Sequence, residues 1–526
     1  MSGRVVTLAQ AIDEALAHQS AGRRDDAARI YRQVLDVAPG HVIALNQLAL
    51  IAADADDLTE AIRLTRLAVQ ADPGFVTGHA NLGNLFKADG QVDEAVAAYR
   101  TALALDPTQV AVHRSLLNAL LYLSDLDPDQ RFAEHLAFAR QHQPRAEDAL
   151  PPLANDRDPE RRLRIGIVSA DLHIHPVARN LLPLFEHRDR AGFALFCYAD
   201  VPAPDAYTER LRGHADGWRS TSGLSDRAIA ELVRADAIDV MLVLAGVFDR
   251  NRPLVACYRP APVQVSMFDG ATSGVRGMDY WVSDPIMSPP RSRERFTERV
   301  VHIERLVAYQ PLDPLPELRP QPATVNGYVT FGSFNRPSKI SRTAIALWSA
   351  VLRAVPTARL ALRYRHFFGR EPAQARFRAV FAAHGIGPER LDFLPGIPTL
   401  GHLQAIGSVD IALDTTPFAG VTTTFDTLSM GVPVLARAGD SAMSRMSATL
   451  LHAVGLDDLI AEDDATFVAS AARLANDIGR LIDLRTSLRD AVPRSPLCDG
   501  VTYARSLEAL WRRLWRDWCR SPQGGA

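Results

Sequence analysis

The sequence predicts an α + α/β protein: a helical repeat array, a short joint, two α/β halves each built on a parallel sheet, and a closing helix. Three observations predict it. Pro39, Pro73 and Pro107 recur at 34-residue intervals. From Leu163 onward short apolar runs alternate with amphipathic segments, the pattern of a doubly wound sheet. Between these regions Ala149–Arg161, ALPPLANDRDPER, is rich in proline and charge, as a joint should be. The expected divisions are residues 1–145 for the array, 146–160 for the joint, 161–320 and 321–502 for the two halves, and 503–526 for the helix and tail.

Composition narrows the class. The chain has 526 residues, 47% hydrophobic and 23% charged, ordinary values for a soluble globular protein. A net charge of -3 with interspersed arginines and acids gives no sign of a nucleic-acid partner. No window offers 18 uninterrupted apolar residues, so no membrane span is expected. The start, MSGRVVTLAQAIDEALAH, turns amphipathic at once and lacks the apolar stretch of a signal peptide. Cys197, Cys257, Cys498 and Cys519 are scattered, which fits a reducing compartment without a zinc site. The cytoplasm is the expected location.

In the array, positions counted back from each proline carry matching residues. Ala27, Ala61 and Ala95 share one; Tyr31, Thr65 and Tyr99 a second; Val34, Ala68 and Ala102 a third. The third copy is the cleanest, with Leu82, Gly83, Phe86, Ala95, Tyr99, Ala102 and Pro107. Small residues let two helices approach, the aromatic fills the gap, and the proline ends the second helix. This pattern resembles the tetratricopeptide repeat (TPR). The first copy is degenerate, with Glu14 at an apolar position, as suits a terminal repeat. Residues 109–123 and 127–143 read as two capping helices. A superhelix of this kind presents a concave groove for a polypeptide. Asn46, Asn81 and Asn84 fall on first helices, and Asn81 and Asn84 are candidates to hold a peptide backbone. A spacer or dimerisation surface is the alternative.

In the first half, Leu163–Ser169 (LRIGIVS), Ala194–Ala199 and Ile238–Leu244 read as buried strands. Ligands of doubly wound sheets sit at the carboxyl ends of strands. That places His173, His175, Gly246, Thr272 and Ser273 near one cleft. His175, just before Pro176, is either a polar group facing a ligand or a surface loop histidine.

In the second half two stretches stand out. Phe331–Ser341, FGSFNRPSKIS, joins a strand to a helix and holds Lys339. Only Lys87 and Lys339 are lysines among the 58 basic residues. In a chain that uses arginine almost everywhere, a lysine in a turn after a strand suggests that a small point charge is needed there. Gly420-Val421-Thr422-Thr423-Thr424 runs into a helix start, where free N–H groups and the helix dipole favour an anion. Asp426, one turn on, either caps that helix or holds a ribose hydroxyl. Lys339 in the same cleft would complete the neutralisation of a diphosphate with no metal needed. Farther on, Trp511, Trp515 and Trp518 form the packing face of a closing helix.

Together LRIGIVSADLHIHP (163–176), RPAPVQV (259–265), TSGVRGMDY (272–280), FGSFNRPSKIS (331–341) and GVTTTFDTLSMGVPVL (420–435) resemble the O-linked GlcNAc transferase family. That family includes bacterial and SPINDLY-like members, and TPRs precede its transferase. The resemblance implies a GT-B glycosyltransferase of two Rossmann-like domains with the site between them. It implies sugar transfer from a nucleotide donor, most simply UDP-GlcNAc, to Ser or Thr of a protein acceptor, inverting, with no metal or other cofactor. By the same resemblance Lys339 meets the donor diphosphate, and Thr422 and Thr423 contact phosphate. Asp426 lies near the ribose, His402 beside the base, and His175 belongs to the HP motif. Arg336 stands where the family has glutamine.

Two loops depart from the pattern. Gly246-Val247-Phe248 stands where bacterial members read GHT. Met267-Phe268-Asp269-Gly270-Ala271-Thr272 replaces WLGYPGT and is one residue shorter. Both loops face the sugar in the family. Two alternatives therefore remain at this level: a flagellin-type protein glycosyltransferase with another nucleotide sugar, and a TPR binding scaffold with an inactive transferase half.

Overall fold

The computed structural model describes residues 6–148, 150–396 and 399–521. Residues 1–5, position 149 of the expected joint and the tail 522–526 lie outside the described residues.

Eight antiparallel helices form the array: α1 (Leu8–Ser20), α2 (Arg24–Val37), α3 (Val42–Asp54), α4 (Leu58–Ala71), α5 (Val76–Ala88), α6 (Val92–Leu105), α7 (Val110–Leu120) and α8 (Pro128–His142). The 34-residue period sets this spacing. Pro39, Pro73 and Pro107 each follow the end of a second helix. Tyr99 is fully buried between α5 and α6, and its hydroxyl donates to Asn84 at 2.7 Å. Gly83 makes room for it: a Cβ there would collide with the Tyr99 ring.

The first half is a seven-stranded parallel sheet: β1 (Leu163–Ser169), β2 (Phe193–Ala199), β3 (Gly217–Ser220), β4 (Val240–Leu244), β5 (Val263–Met267), β6 (Tyr280–Ser283) and β7 (Arg299–His302). Its order is β3-β2-β1-β4-β5-β6-β7. In β1 only Arg164 is exposed, as expected of a strand covered on both faces. The second half has six parallel strands: β8 (Thr330–Ser333), β9 (Arg359–Leu362), β10 (Leu391–Phe393), β11 (Ile411–Leu413), β12 (Val434–Arg437) and β13 (Ile460–Ala461), ordered β10-β9-β8-β11-β12-β13. In both sheets the order reverses beside the first strand of the half. Loops after the two strands flanking that point therefore open onto one crevice. This is the expected pair of Rossmann-like sheets behind a TPR array.

The array is not a detached module. One apolar core runs from the second repeat through α7 and α8 into the first sheet and out to the closing helix Gly500–Arg520. Trp511 and Trp515 of that helix are fully buried, with Phe193 5.9 Å from Trp511. The helix thus follows the second half in sequence and packs on the first. The array also touches the second half. Arg342 pairs with Asp93 at 3.0 Å, Arg376 pairs with Asp89, and Gly90 packs against Pro337. Among the described residues, no helix is long and apolar enough to cross a membrane.

Candidate active site

The array and the two halves enclose a cavity of about 300 Å³. The second half contributes Arg336, Lys339, Thr422 and Thr423; the first contributes His175, Phe248, Asp249 and Phe268; the array contributes Lys87, Asn118 and Tyr122. Most of the sheet-borne residues follow the carboxyl ends of β1, β4, β5, β8 and β11, the ends where such sheets bind ligands.

Lys339 closes a turn of 3₁₀-helix, Pro337–Lys339, directly after β8. Ser341 caps the next helix by accepting from the Ala344 N–H at 3.0 Å. This cap fixes where the turn leaves Lys339. Its Nζ donates to the Ala419 carbonyl at 2.6 Å and lies 4.4 Å from the centre of the Phe418 ring. Burial, aided by the Arg336 charge, pushes the ammonium down to about 7, against the pull of Asp414. An anion entering the cavity would reverse that shift.

The helix Thr422–Ser429 begins at the cavity, and no side chain caps its start. The first N–H groups of an uncapped helix are ready donors for phosphate. Thr422 and Thr423 line the cavity. Thr424 turns away and bonds Ser447 at 2.8 Å. The capping alternative for Asp426 is overturned. Asp426 is the fifth residue of the helix, and it accepts from Arg179 of the first half at 3.0 Å. Arg179 lies on helix α9 (Pro176–His187), and its guanidinium also sits 5.5 Å from the Tyr309 ring.

His175 caps α9: its Nδ1 accepts from the Val177 N–H at 3.3 Å. Its Nε2 stands 3.5 Å from Asp249 Oδ2. Burial pushes the imidazole down to about 4, although Asp249 favours its charged form. Beneath it Asp171 is buried, accepts from Asn251 at 2.7 Å, and is pushed up to about 7 by burial and the charge of Asp249. Ligand-type atoms of Asp171, His175 and Asp249 lie within 4.8 Å of one another. Asp171 and His175 are already engaged by Asn251 and the Val177 N–H, and His175 Nδ1 stands 3.9 Å from Asp171 Oδ2, beyond hydrogen-bond reach.

Lys87 is the residue that sequence reading left unassigned. It lies in the last turn of α5 and donates to Asn118 at 2.8 Å. Burial and the Arg336 charge push it down to about 8. Arg336 keeps an exposed face towards the cavity while Tyr122, Tyr364 and Asp249 surround it and favour its charge. Lys87, Arg336 and Lys339 stand against one lining carboxylate, Asp249. With His175 neutral, the wall carries two surplus positive charges when both lysines are protonated, a state that an entering anion favours.

Other candidates lie elsewhere. Thr272 donates to Glu298 Oε2 at 2.6 Å, and the Ser273 N–H donates to Glu298 Oε1 at 2.8 Å, so both turn into the first half instead of the cleft. His173 lies beside His175, ring centres 5.6 Å apart, outside the cavity wall. His402 is also outside the wall and takes a hydrogen bond from Arg363 at 2.6 Å. Gly246, at φ +28°, lies so close to Asp269 that a Cβ would collide with its carboxylate. The two departing loops give the cavity an apolar side of Val247, Phe248 and Phe268.

A larger cavity of about 550 Å³ runs between the array and the second half. Asn81 and Asn84 line it, and Lys87, Asp249, Arg336 and Tyr364 line both cavities. Asn46 is buried and accepts from Asn81 at 2.8 Å.

Comparison with known sequences and structures adds a context. Glycosyl transferase family 41 matches residues 150–308 and 317–507. TPR families match 12–74 and 83–121. A probable UDP-N-acetylglucosamine–peptide N-acetylglucosaminyltransferase SPINDLY of Solanum lycopersicum is 33% identical over 410 residues, covering 77% of this chain and 44% of that protein. The protein of the same name from Petunia hybrida is 35% identical, covering 69% and 40%. The chain thus spans about two fifths of the length of these relatives. A solved structure of a mutant Thermobaculum terrenum O-GlcNAc transferase is 35% identical, with a TM-score of 0.90 over 98% of this chain and 99% of that one.

Proposed function

This chain belongs to glycosyl transferase family 41, and from that premise we propose that it moves a sugar from a nucleotide donor to Ser or Thr of a protein. The observation that carries this reading is the convergence of Lys339, Thr422 and Thr423 on one cavity with His175. The donor favoured by the named relatives is UDP-GlcNAc.

The difficult step is expulsion of the nucleoside diphosphate as the acceptor hydroxyl attacks the anomeric carbon. Charge grows on the leaving phosphate. Lys339, the hydroxyls of Thr422 and Thr423, and the uncapped helix start would stabilise it where it develops. These groups supply the neutralisation, so no metal is required. Attack from the side opposite the leaving group inverts the anomeric centre. His175, neutral and fixed by Val177, orients groups on the acceptor side. Asp426 and His402 would serve the nucleoside; for Asp426 this requires the ribose to share or displace its pair with Arg179. The larger cavity, with Asn81 and Asn84, would lead the acceptor polypeptide to the site.

A second reading, a donor other than UDP-GlcNAc, is favoured by the apolar side formed by Val247, Phe248 and Phe268. Mass spectrometry of acceptor peptides incubated with UDP-, GDP- and CMP-sugars in the presence of EDTA tests both. Transfer from UDP-GlcNAc supports the first reading, and transfer only from another donor the second. No transfer from any donor leaves the binding scaffold.

A further inference from the structure

The transfer proposed above needs a group to take the acceptor proton, and we propose that Asp249 is that group. The inference rests on the transferase reading and adds a residue that the family resemblance did not supply.

The orientation of His175 makes the case. Its Nδ1 is occupied by the Val177 N–H at 3.3 Å. The neutral ring therefore carries its proton on Nε2. That nitrogen faces Asp249 Oδ2 at 3.5 Å, so the ring has no free lone pair on the cavity side. The carboxylate beside it does have free lone pairs. His175 then acts as a positioning residue, aiming Asp249 through the Nε2–H.

The location of Asp249 agrees. Its side chain is 59% exposed, and it lines both the transfer cavity and the larger cavity leading along the array. An acceptor hydroxyl passing from one to the other meets it. The backbone is held for this purpose: Ala245 at φ +54°, Gly246 at +28° and Asp249 at +49° are all left-handed. Such conformations carry strain and gather at functional sites. They fall in the loop that departs from the family pattern. The titratable and charged groups facing Asp249 are Lys87, Arg114 and Tyr122 from the array, Asp171 and His175 after β1, and Arg336 after β8.

The step balances without a co-reactant. The acceptor oxygen forms its bond to the anomeric carbon while its proton passes to the Asp249 carboxylate. The bond from that carbon to the diphosphate oxygen breaks, and its electron pair leaves with the nucleotide. The proton then returns to solvent through the exposed face of Asp249.

Asp249→Asn is the test, because asparagine tolerates left-handed backbone and keeps the size. Transfer to a synthetic Ser/Thr peptide pool is followed between pH 5 and 9, and UDP binding is measured alongside by calorimetry. The expected result is a fall of about 100-fold or more in kcat at every pH in that range, with UDP affinity no weaker than wild type because the variant removes a negative charge from the wall. Wild-type transfer matched by Asp249→Asn, or UDP affinity lost in parallel, overturns this proposal alone. No transfer by the wild-type chain with any nucleotide sugar overturns the transferase reading and this proposal with it.

Discussion

Lys87 and Lys339, the two lysines among 58 basic residues, line one cavity from different parts of the fold. Lys87 comes from the third repeat and Lys339 from the turn after β8. Arg336 lowers the affinity of both for protons. The helical array therefore forms part of the site itself, besides any role in holding a polypeptide.

Lys339→Met should abolish transfer while leaving the fold intact. Loss of charge stabilisation at the leaving phosphate costs on the order of 3 kcal/mol or more in barrier. Stability should move the other way. The folded lysine sits at about 7 against an ordinary 10.5, so the unfolded chain binds the extra proton between those values and stability rises with pH across that window. The variant should melt higher than wild type below pH 7, by an amount that shrinks towards pH 10.5. Turnover and thermal melts across pH check both statements.

Nucleotide-sugar binding should take up protons near pH 8. In the free protein Lys339 and Lys87 lose their protons at about 7 and about 8, and an anion favours the protonated forms. Affinity should therefore fall as pH rises from 7 to 9. Calorimetry in buffers of different ionisation enthalpy reads the proton count directly.

Lys87→Gln should weaken transfer, with Asn118 still able to accept from the new amide. Because the folded lysine sits at about 8 against an ordinary 10.5, the variant should melt higher than wild type below pH 8, by an amount that shrinks as pH rises towards 10.5. Removing residues 1–108 should do far more. It strips Lys87 from the cavity and opens a core shared with the first sheet, so nucleotide-sugar binding should disappear with it. A truncated chain that binds the donor like the full chain would show that the array is a separable module.

Arg179→Ala should loosen the two halves. The Arg179–Asp426 pair spans them at 3.0 Å with both side chains largely covered. Leaving Asp426 unpaired should cost on the order of 2 kcal/mol, discounted from a fully buried pair for its remaining exposure. Chemical denaturation measures the cost.

Much of this was legible in the sequence because it depends on local pattern. The 34-residue proline period gives the helix pairs, LRIGIVS gives β1 to the residue, and the lone lysine of FGSFNRPSKIS falls in the cavity wall. Short strands such as β3, β6 and β7 were missed because four residues carry too little periodicity. Thr272 and Ser273 looked like cleft residues from their place after a strand, but the buried Glu298 carboxylate claims both. Lys87, Asn118 and Tyr122 carry no ligand motif. Only the folding of the array back onto both halves brings them to the site, although the rarity of lysine pointed to Lys87 as much as to Lys339. Asp249 was hidden by the loop that departs from the family pattern.

The central claim, that this cavity binds a nucleotide sugar through its diphosphate, is tested most directly by titration calorimetry of the full chain with UDP-, GDP- and CMP-sugars in EDTA. The account predicts saturable one-to-one binding of at least one donor, with about 100-fold or greater loss of affinity in Lys339→Ala. Absence of binding to every donor, or a donor bound equally by Lys339→Ala, would contradict it.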